Sequence, residues 1–127
     1  MSKKYKRPPI IIAEDEHDRL TKLALLTLDR VAGAVDLLVE LSRAKTVKVK
    51  PEDVVGIGSV ATFQYDGSPY NEYELVDPHR ADIGKRRISV LTPVGAMLLG
   101  LSKGQTIEWK GPDDRSHKVV VEEVRPA

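Results

Sequence analysis

The spacing of apolar residues changes once along this chain, and that change limits the folds it can adopt. Residues 14 to 44 contain no proline, and their leucines, alanines and valines recur at intervals of three and four, as in helices. From Val54 onward, apolar residues alternate in part with polar ones, as in half-buried strands. The pattern therefore predicts a helical segment followed by a sheet, which is an α+β fold.

The helical segment is predicted to fold back on itself. The apolar stripe that begins at Leu20 loses its phase between Leu28 and Gly33, and a second stripe runs from Val31 to Leu41. Gly33 also lowers helix propensity by about 1 kcal/mol relative to alanine. We therefore predict a short antiparallel helical hairpin whose arms have about 15 residues and reach ~22 Å each.

The tip of this hairpin carries three charged residues, Asp29, Arg30 and Asp36. The two carboxylates are separated by two helical turns, or about 10 Å along a helix axis. A small hard cation is held at about 2.0–2.1 Å, which requires carboxylates much closer together than that. The spacing favours solvated carboxylates near a turn, and no metal site is predicted.

The second half of the chain is predicted to form strands joined by turns, with one short helix among them. Residues 66–69 (Asp-Gly-Ser-Pro) and residues 111–114 are turn sequences, because Asp caps its own turn, Gly supplies positive φ and Pro is expected to stop strand pairing. Thr92 can cap a helix with its hydroxyl, Pro93 suits the first helical position, and Gly100 suits the residue after the end. We predict antiparallel strands and a helix of about two turns.

Composition excludes several classes of function. The chain has no cysteine, which rules out disulfides, thiolate metal sites and cysteine nucleophiles. Its histidines, His17, His79 and His117, are far apart, and the last two have the polar neighbours of surface residues. The formal net charge of +1 argues against a general nucleic-acid binder. We predict a small interaction protein without a cofactor and without enzyme activity.

Neither a membrane span nor a secretory signal is visible. Apolar runs reach only a few residues, as at 8–13, whereas a span needs about 20. The basic residues near the N-terminus are not followed by an apolar stretch of secretory length. We therefore expect a cytoplasmic protein in which residues 1–9 form a basic, solvated tail.

Two segments of the second half occur together in a recognisable order. Residues 53–60 read DVVGIGSV, residues 88–101 read ISVLTPVGAMLLGL, and Tyr73-Glu74-Leu75-Val76 lies between them. This pattern resembles the C-terminal domain of the bacterial Gre transcript-cleavage factors over about residues 51 to 125. The short hairpin that follows Ile10-Ile11-Ile12 further resembles the branch of the family represented by the regulator of nucleoside-diphosphate kinase.

The resemblance implies both a fold and a partner. Residues 47–127 would form a Gre-type domain similar to FK506-binding proteins, preceded by a hairpin over residues 10–46. Factors of this family bind RNA polymerase at the rim of its secondary channel, and the residues that match their contacts are Leu91, Thr92 and Pro93. The hairpin tip would point into the channel mouth, near the nucleic acid of the transcription complex. A monomer is expected.

Transcript cleavage is not expected from this resemblance. The full Gre factors use an acidic pair at the tip of a long coiled coil to hold a second catalytic magnesium ion. Here Asp29 and Asp36 are too far apart for that role, and the hairpin has about half the length. We therefore expect the protein to occupy the channel entrance without activating cleavage.

Two other functions remain as alternatives. A prolyl isomerase of the FK506-binding type needs a cluster of aromatic side chains, and this chain has one Phe, one Trp and four Tyr. A direct nucleic-acid-binding module would use the basic residues between Arg43 and Lys50, and the near-neutral net charge argues against it.

Overall fold

A computed structural model describes residues 5–126 of the protein. Its first part consists of two helices with a short strand on either side. Strand β1 (Ile11–Ala13) leads into helix α1 (Glu14–Thr27), and helix α2 (Gly33–Arg43) leads into strand β2 (Lys45–Val47). The chain thus turns between Thr27 and Gly33, where the apolar stripe loses its phase.

Helices α1 and α2 run in opposite directions and pack against each other. Strands β1 and β2 pair in parallel, which places the start of α1 beside the end of α2. A ring nitrogen of His17 lies 2.9 Å from the carbonyl oxygen of Leu41, near that same end. The buried residues Leu20 and Ala24 of α1 face the core together with Leu37 of α2, because helical spacing puts them on one side of each helix.

The remainder of the chain forms a five-stranded sheet and one short helix, α3 (Pro93–Leu98). The strands, in chain order, are β3 (Val60–Tyr65), β4 (Ser68–Val76), β5 (Arg87–Ser89), β6 (Thr106–Lys110) and β7 (Ser116–Arg125). Their order across the sheet is β5-β4-β3-β7-β6. Strands β3 and β4 are joined by Asp66-Gly67, both with positive φ, as two-residue hairpin turns require. The predicted four-residue turn is shortened, because Ser68 and Pro69 already pair with Tyr65 and Gln64.

The sheet is mixed, which corrects the purely antiparallel sheet predicted above. Strand β3 pairs antiparallel with β4 and β7, and β6 pairs antiparallel with β7. Strand β5 instead pairs in parallel with β4, starting opposite Glu74. The connection over residues 77–86 contains two 3-10 turns and returns the chain to the level of Glu74 before β5 begins. A tight turn, which would reverse the strand, does not occur there.

Lys6 and Arg7 are held against the protein, whereas a solvated tail is predicted for residues 1–9. The backbone N–H of Glu108, on edge strand β6, donates to the carbonyl oxygen of Lys6 at 2.7 Å. The side chain of Arg7 forms an ion pair with the buried carboxylate of Glu40, and a buried carboxylate needs such a partner. Residues 1–4 lie outside the described residues.

One apolar core connects the helices with the sheet. It takes residues from α1, α2, α3 and the inner face of the sheet, among them Leu20, Leu37, Leu41, Phe63, Leu75, Met97, Leu98, Ile107, Val119 and Val121. Helix α2 packs tightly against the α3 region at Gly33, where a Cβ atom would lie 1.6 Å from the carbonyl oxygen of Leu91. This position accepts only glycine without a shift of the backbone, so the start of α2 rests directly on the residues that precede α3.

Candidate functional site

The start of helix α3 has the capped geometry predicted for it. The Thr92 hydroxyl accepts a hydrogen bond from the Gly95 N–H at 3.0 Å and donates one to the carbonyl oxygen of Ser89 at 2.7 Å. Pro93 occupies the first helical position, where a missing N–H costs nothing. Thr92 itself is exposed, whereas Leu91 belongs to the core with only 5% of its surface accessible.

An open apolar pocket of about 250 Å³ lies at this helix start. Thr92, Pro93 and Val94 form one side of it. The other sides come from β3, β4, β5 and the connection before β5, through Tyr65, Tyr70, Ile88 and Ile83. Ile83 is 65% exposed, so the rim of the pocket offers apolar surface to an incoming side chain.

Most of the aromatic side chains of the protein gather beside this pocket. Phe63 stacks on Tyr70 with ring centroids 5.1 Å apart, and Tyr65 stacks on Trp109 at 6.1 Å with an angle of 4° between the ring planes. Tyr73 meets both Phe63 and Tyr70 edge to face. Stacked and edge-to-face rings stabilise one another, so the two tyrosines of the pocket wall are held by a packed cluster.

The charged residues of the hairpin tip have different surroundings. The side chains of Asp29 and Arg30 are 87% and 69% exposed and lie 3.8 Å apart as a surface ion pair. Asp36 is half-buried in the first turn of α2, and burial raises the pKa of its carboxyl, an effect that the charge of Arg7 opposes. Within residues 5–126, no group of three or more His, Cys, Asp or Glu side chains could hold a metal ion.

The fold brings the turn of the hairpin close to the start of α3. Gly33 begins α2, a few residues after Asp29 and Arg30, and lies against the backbone of Leu91 and Thr92. The start of α2, directly after the turn that carries Asp29 and Arg30, is therefore packed on the residues that precede α3.

The basic residues that follow α2 are partly engaged in the fold. Lys45 belongs to β2 and donates its N–H to the carbonyl oxygen of Ile10 at 2.9 Å. The Lys50 ammonium group donates to the carbonyl oxygen of Val54 at 2.8 Å. These contacts give the lysine segment a structural role between the hairpin and the sheet.

Sequence reasoning missed the far wall of the pocket. Tyr65 and Tyr70 flank the predicted turn at Asp66-Gly67, and alternation along β3 puts Phe63 and Tyr65 on the same face. That spacing was a usable signal for an aromatic wall. Ile83 carried no such signal, because its position depends on how residues 77–86 return to the sheet.

No helix within residues 5–126 is long and apolar enough to cross a membrane. The longest of them, α1, has 14 residues.

Comparison with known proteins gives consistent results. The family model for the C-terminal part of the transcription elongation factors GreA and GreB matches residues 50–126. The regulator of nucleoside diphosphate kinase from Escherichia coli K12 is 36% identical over 113 residues, which are 84% of this chain and 81% of that protein. GreA from Rhodospirillum rubrum is 35% identical over 74 residues, 56% of this chain.

The coverage of these relatives differs. The chain spans 47% of GreA from Rhodospirillum rubrum and 54% of GreA from Thermosipho africanus, hence about half the length of those proteins. A solved structure of a GreA/GreB elongation factor from Nitrosomonas europaea superposes with a TM-score of 0.69 at 35% identity. That match covers 91% of this chain and 98% of the other, so the two proteins share the overall fold.

Proposed function

The chain belongs to the GreA/GreB family of transcription elongation factors, and from this premise we propose that it binds bacterial RNA polymerase near the rim of the secondary channel. In this proposal it acts as a monomer and does not stimulate transcript cleavage. The functional units are the hairpin of residues 10–46 and an FK506-binding-protein-like domain of residues 47–127. The observation that carries the proposal is the open apolar pocket in which Thr92 and Pro93 lie.

The pocket suits an apolar side chain presented by a protein partner. Its walls are two tyrosines, two isoleucines and the first residues of α3, and they expose more apolar than polar surface. Desolvated apolar side chains in pockets of this kind dominate the affinity of many protein interfaces. Pro93 and the methyl group of Thr92 contribute contact area. Leu91 is buried and does not line the pocket, so the proposal assigns the contact to Thr92 and Pro93 and not to Leu91.

The length of the hairpin and the surroundings of its two carboxylates support the proposal that the protein does not stimulate cleavage. Helices α1 and α2 have 14 and 11 residues, which correspond to about 21 and 16 Å. Asp29 is exposed and paired with Arg30, whereas Asp36 lies in the partly buried first turn of α2 near Arg7. Two carboxylates in such different surroundings do not form a common site for one hard cation.

A binding experiment with purified core polymerase tests the pocket. Ile83→Glu places a charge on the pocket rim and is expected to weaken binding by roughly tenfold or more, about the effect of losing one anchoring contact. Val49→Glu is the matched control, because Val49 is 84% exposed and does not line the pocket. Equal affinities of the two variants, or no binding by the unaltered protein, would contradict the proposal.

A cleavage experiment tests the second part of the proposal. Backtracked transcription complexes are incubated with the protein, and a full-length GreA serves as the positive control. We expect no increase in RNA cleavage with this protein and reduced cleavage when both are present, because they would compete for one site. Cleavage at a rate similar to that with GreA would show that the tip carries a functional metal site.

One observation favours a second candidate function. The sequence offered few aromatic residues, but the fold concentrates them around the pocket, as a prolyl isomerase of the FK506-binding type requires. The hydroxyl of Thr92 is already engaged in the cap of α3, so the side chains left to orient a peptide bond are those of Tyr65 and Tyr70, through their hydroxyls. Proline isomerisation of a test peptide above the uncatalysed rate, abolished by Tyr70→Ala, would favour this candidate instead.

A further inference from the structure

His117 lies between two turns of the sheet and contacts a carboxylate in each. Its Nδ1 is 2.6 Å from Oδ2 of Asp66, in the turn between β3 and β4. Its Nε2 is 3.0 Å from Oδ1 and 3.1 Å from Oδ2 of Asp113, in the turn between β6 and β7. An ionised carboxylate only accepts hydrogen bonds, so both ring nitrogens of His117 must donate. Both contacts are satisfied together only by the protonated, positively charged ring.

The ring of His117 also belongs to the aromatic cluster beside the pocket. Its centroid is 5.9 Å from that of Tyr65 and 5.7 Å from that of Trp109. The side chain is only 16% exposed, and a cation this close to aromatic rings is attracted by them. The Nε2 atom lies so near Gly111 that a Cβ atom there would come within 2.8 Å of it. The turn thus closes tightly over the ring.

The charged and titratable groups around His117 come from β3, β6, β7 and the turns that join these strands to their neighbours. Strand β3 and its turn supply Tyr65 and Asp66, and the β6–β7 turn supplies Asp113. Arg115 directly precedes β7, and its backbone N–H donates to the carboxylate of Asp113. Lys118 lies on β7, and its backbone N–H donates to the carboxylate of Asp66. Lys110 at the end of β6 pairs with Asp114, whose carboxylate lies 2.5 Å from its ammonium group.

These surroundings raise the proton affinity of the His117 ring and lower that of the Asp113 carboxylate. The hydrogen bonds to Asp66 and then to Asp113 raise the pKa of His117 above its usual value. The hydrogen bond to His117 is the main reason that the pKa of the Asp113 carboxyl is lowered. Burial raises the pKa of Tyr65, so that ring stays neutral while His117 titrates.

We propose that His117, together with Asp66 and Asp113, is a proton-dependent clasp that positions Tyr65 in the wall of the apolar pocket. The protonated ring ties the two turns together and holds Tyr65 against Trp109. When the proton leaves, one of the two carboxylates loses its donor, and the turns are free to separate. The clasp itself is independent of the proposed function; only its effect on polymerase affinity rests on that function.

The direction of the pH dependence follows from the two pKa changes. Because the pKa of His117 is raised in the folded protein, its stabilising contribution is complete below the unfolded value of about 6.5 and is lost as the pH rises through the folded value. Because the pKa of Asp113 is lowered, its contribution is present above the ordinary aspartate value and is lost as the pH falls through the folded value. The clasp is therefore closed at pH values between the folded-state pKa of Asp113 and the folded-state pKa of His117.

The first experiment measures the proton affinity of His117 directly by NMR titration of the histidine rings. The His117 signal, assigned with the variant His117→Gln, is expected to titrate above the ordinary histidine value. Asp113→Asn is expected to lower its pKa, whereas Asp114→Asn, in the same turn but paired with Lys110, leaves it unchanged. A pKa of His117 at or below the ordinary value, or one that Asp113→Asn does not lower, overturns the proposal.

The second experiment uses Trp109, which is the one tryptophan of the chain. A protonated imidazole in ring contact quenches indole emission more than a neutral one, so fluorescence should rise as the pH passes the pKa of His117. His117→Gln is expected to abolish that step, and His79→Gln, a matched change at an exposed histidine, to keep it. An unchanged step in His117→Gln contradicts the clasp. If His117→Gln does not fold, Asp113→Asn provides the test instead, and its fluorescence step is expected to move to lower pH.

The link to the pocket is tested by polymerase affinity at two pH values on either side of the measured His117 pKa. We expect affinity to fall by roughly fivefold on deprotonation and to be independent of this transition in His117→Gln. If the unaltered protein and His117→Gln show the same pH dependence, protonation of His117 does not act on the pocket, and this part of the proposal is wrong. Absence of polymerase binding at every pH would refute the proposed function, while the NMR and fluorescence results would still decide whether the clasp exists.

Discussion

Replacing Gly33 by alanine separates what the sequence predicts from what the structure predicts. From sequence alone, Gly33 is a weak helical position, and alanine there would stabilise α2 by up to about 1 kcal/mol. In the structure, a Cβ atom at Gly33 would lie 1.6 Å from the carbonyl oxygen of Leu91 and 2.4 Å from its carbonyl carbon. The two views therefore predict changes of opposite sign.

The size of the effect follows from that contact. Cβ atoms essentially never approach other atoms closer than 3.0 Å, so α2 and the backbone at Leu91 must separate by at least 1.4 Å, the difference between 3.0 and 1.6 Å. Both sides are backbone and cannot rotate away. Overpacking of this kind costs about 3 kcal/mol. After the propensity gain, we expect a net loss of about 2 kcal/mol, or a fall in Tm of about 8 °C.

Thermal and denaturant unfolding of Gly33→Ala measure this loss. Gly84→Ala is the matched control, because a Cβ atom there would meet Asp82 at an ordinary distance of 3.4 Å. We expect the control to keep the stability of the unaltered protein within about 0.5 kcal/mol. If Gly33→Ala is as stable as the control, or more stable than the unaltered protein, the close packing of α2 on the α3 region is refuted.

Two further substitutions test single contacts. Glu40→Ala is expected to lower the free energy of unfolding by about 3 kcal/mol, because it leaves the cations of Arg7 and Arg43 facing a buried site without its carboxylate; a loss below about 1 kcal/mol in denaturant unfolding would contradict this. Thr92→Ala removes the acceptor for the Gly95 N–H and is expected to cost about 1 kcal/mol, whereas Thr92→Ser keeps the cap. Equal Tm values of these two variants would show that the hydroxyl contributes nothing.

The features predicted well from the sequence depend on neighbours along the chain. The cap at Thr92, the proline at Pro93 and the positive φ of Gly100 are all observed at α3. The turn at Asp66-Gly67 is observed as well, although it is shorter than predicted because Pro69 already pairs with Gln64 in the sheet. Such signals depend on a few neighbouring residues, so they can be recognised in the sequence without knowledge of the fold.

The direction of β5 could not be predicted in that way. The residues between β4 and β5 form a polar loop without a tight-turn sequence, and nothing in them states how far the chain travels back. The backbone decides this through pairing of Asp82 with Arg87 and of Glu74 with the carbonyl oxygen of Arg86. Parallel pairing with β4 is the result.

The candidate site was found only on one side. The sequence identified Thr92 and Pro93 because a helix start has local chemistry. It did not identify Tyr65 and Ile83, which reach the same pocket from strands and connections elsewhere in the chain. Low aromatic content also suggested that no aromatic cluster exists, since composition counts residues but does not show where they meet.

The sequence by itself determined the order of helices and strands, their turns and caps, and the family to which the chain belongs, because these properties depend on residues that are close together along the chain. Only the tertiary structure decided that Gly33 is a contact rather than a weak helical position. It also decided that His117, an ordinary surface histidine by its neighbours, sits between Asp66 and Asp113. The physical reason is separation: His117 and Asp66 are 51 residues apart, and only packing of the sheet brings them within hydrogen-bonding distance.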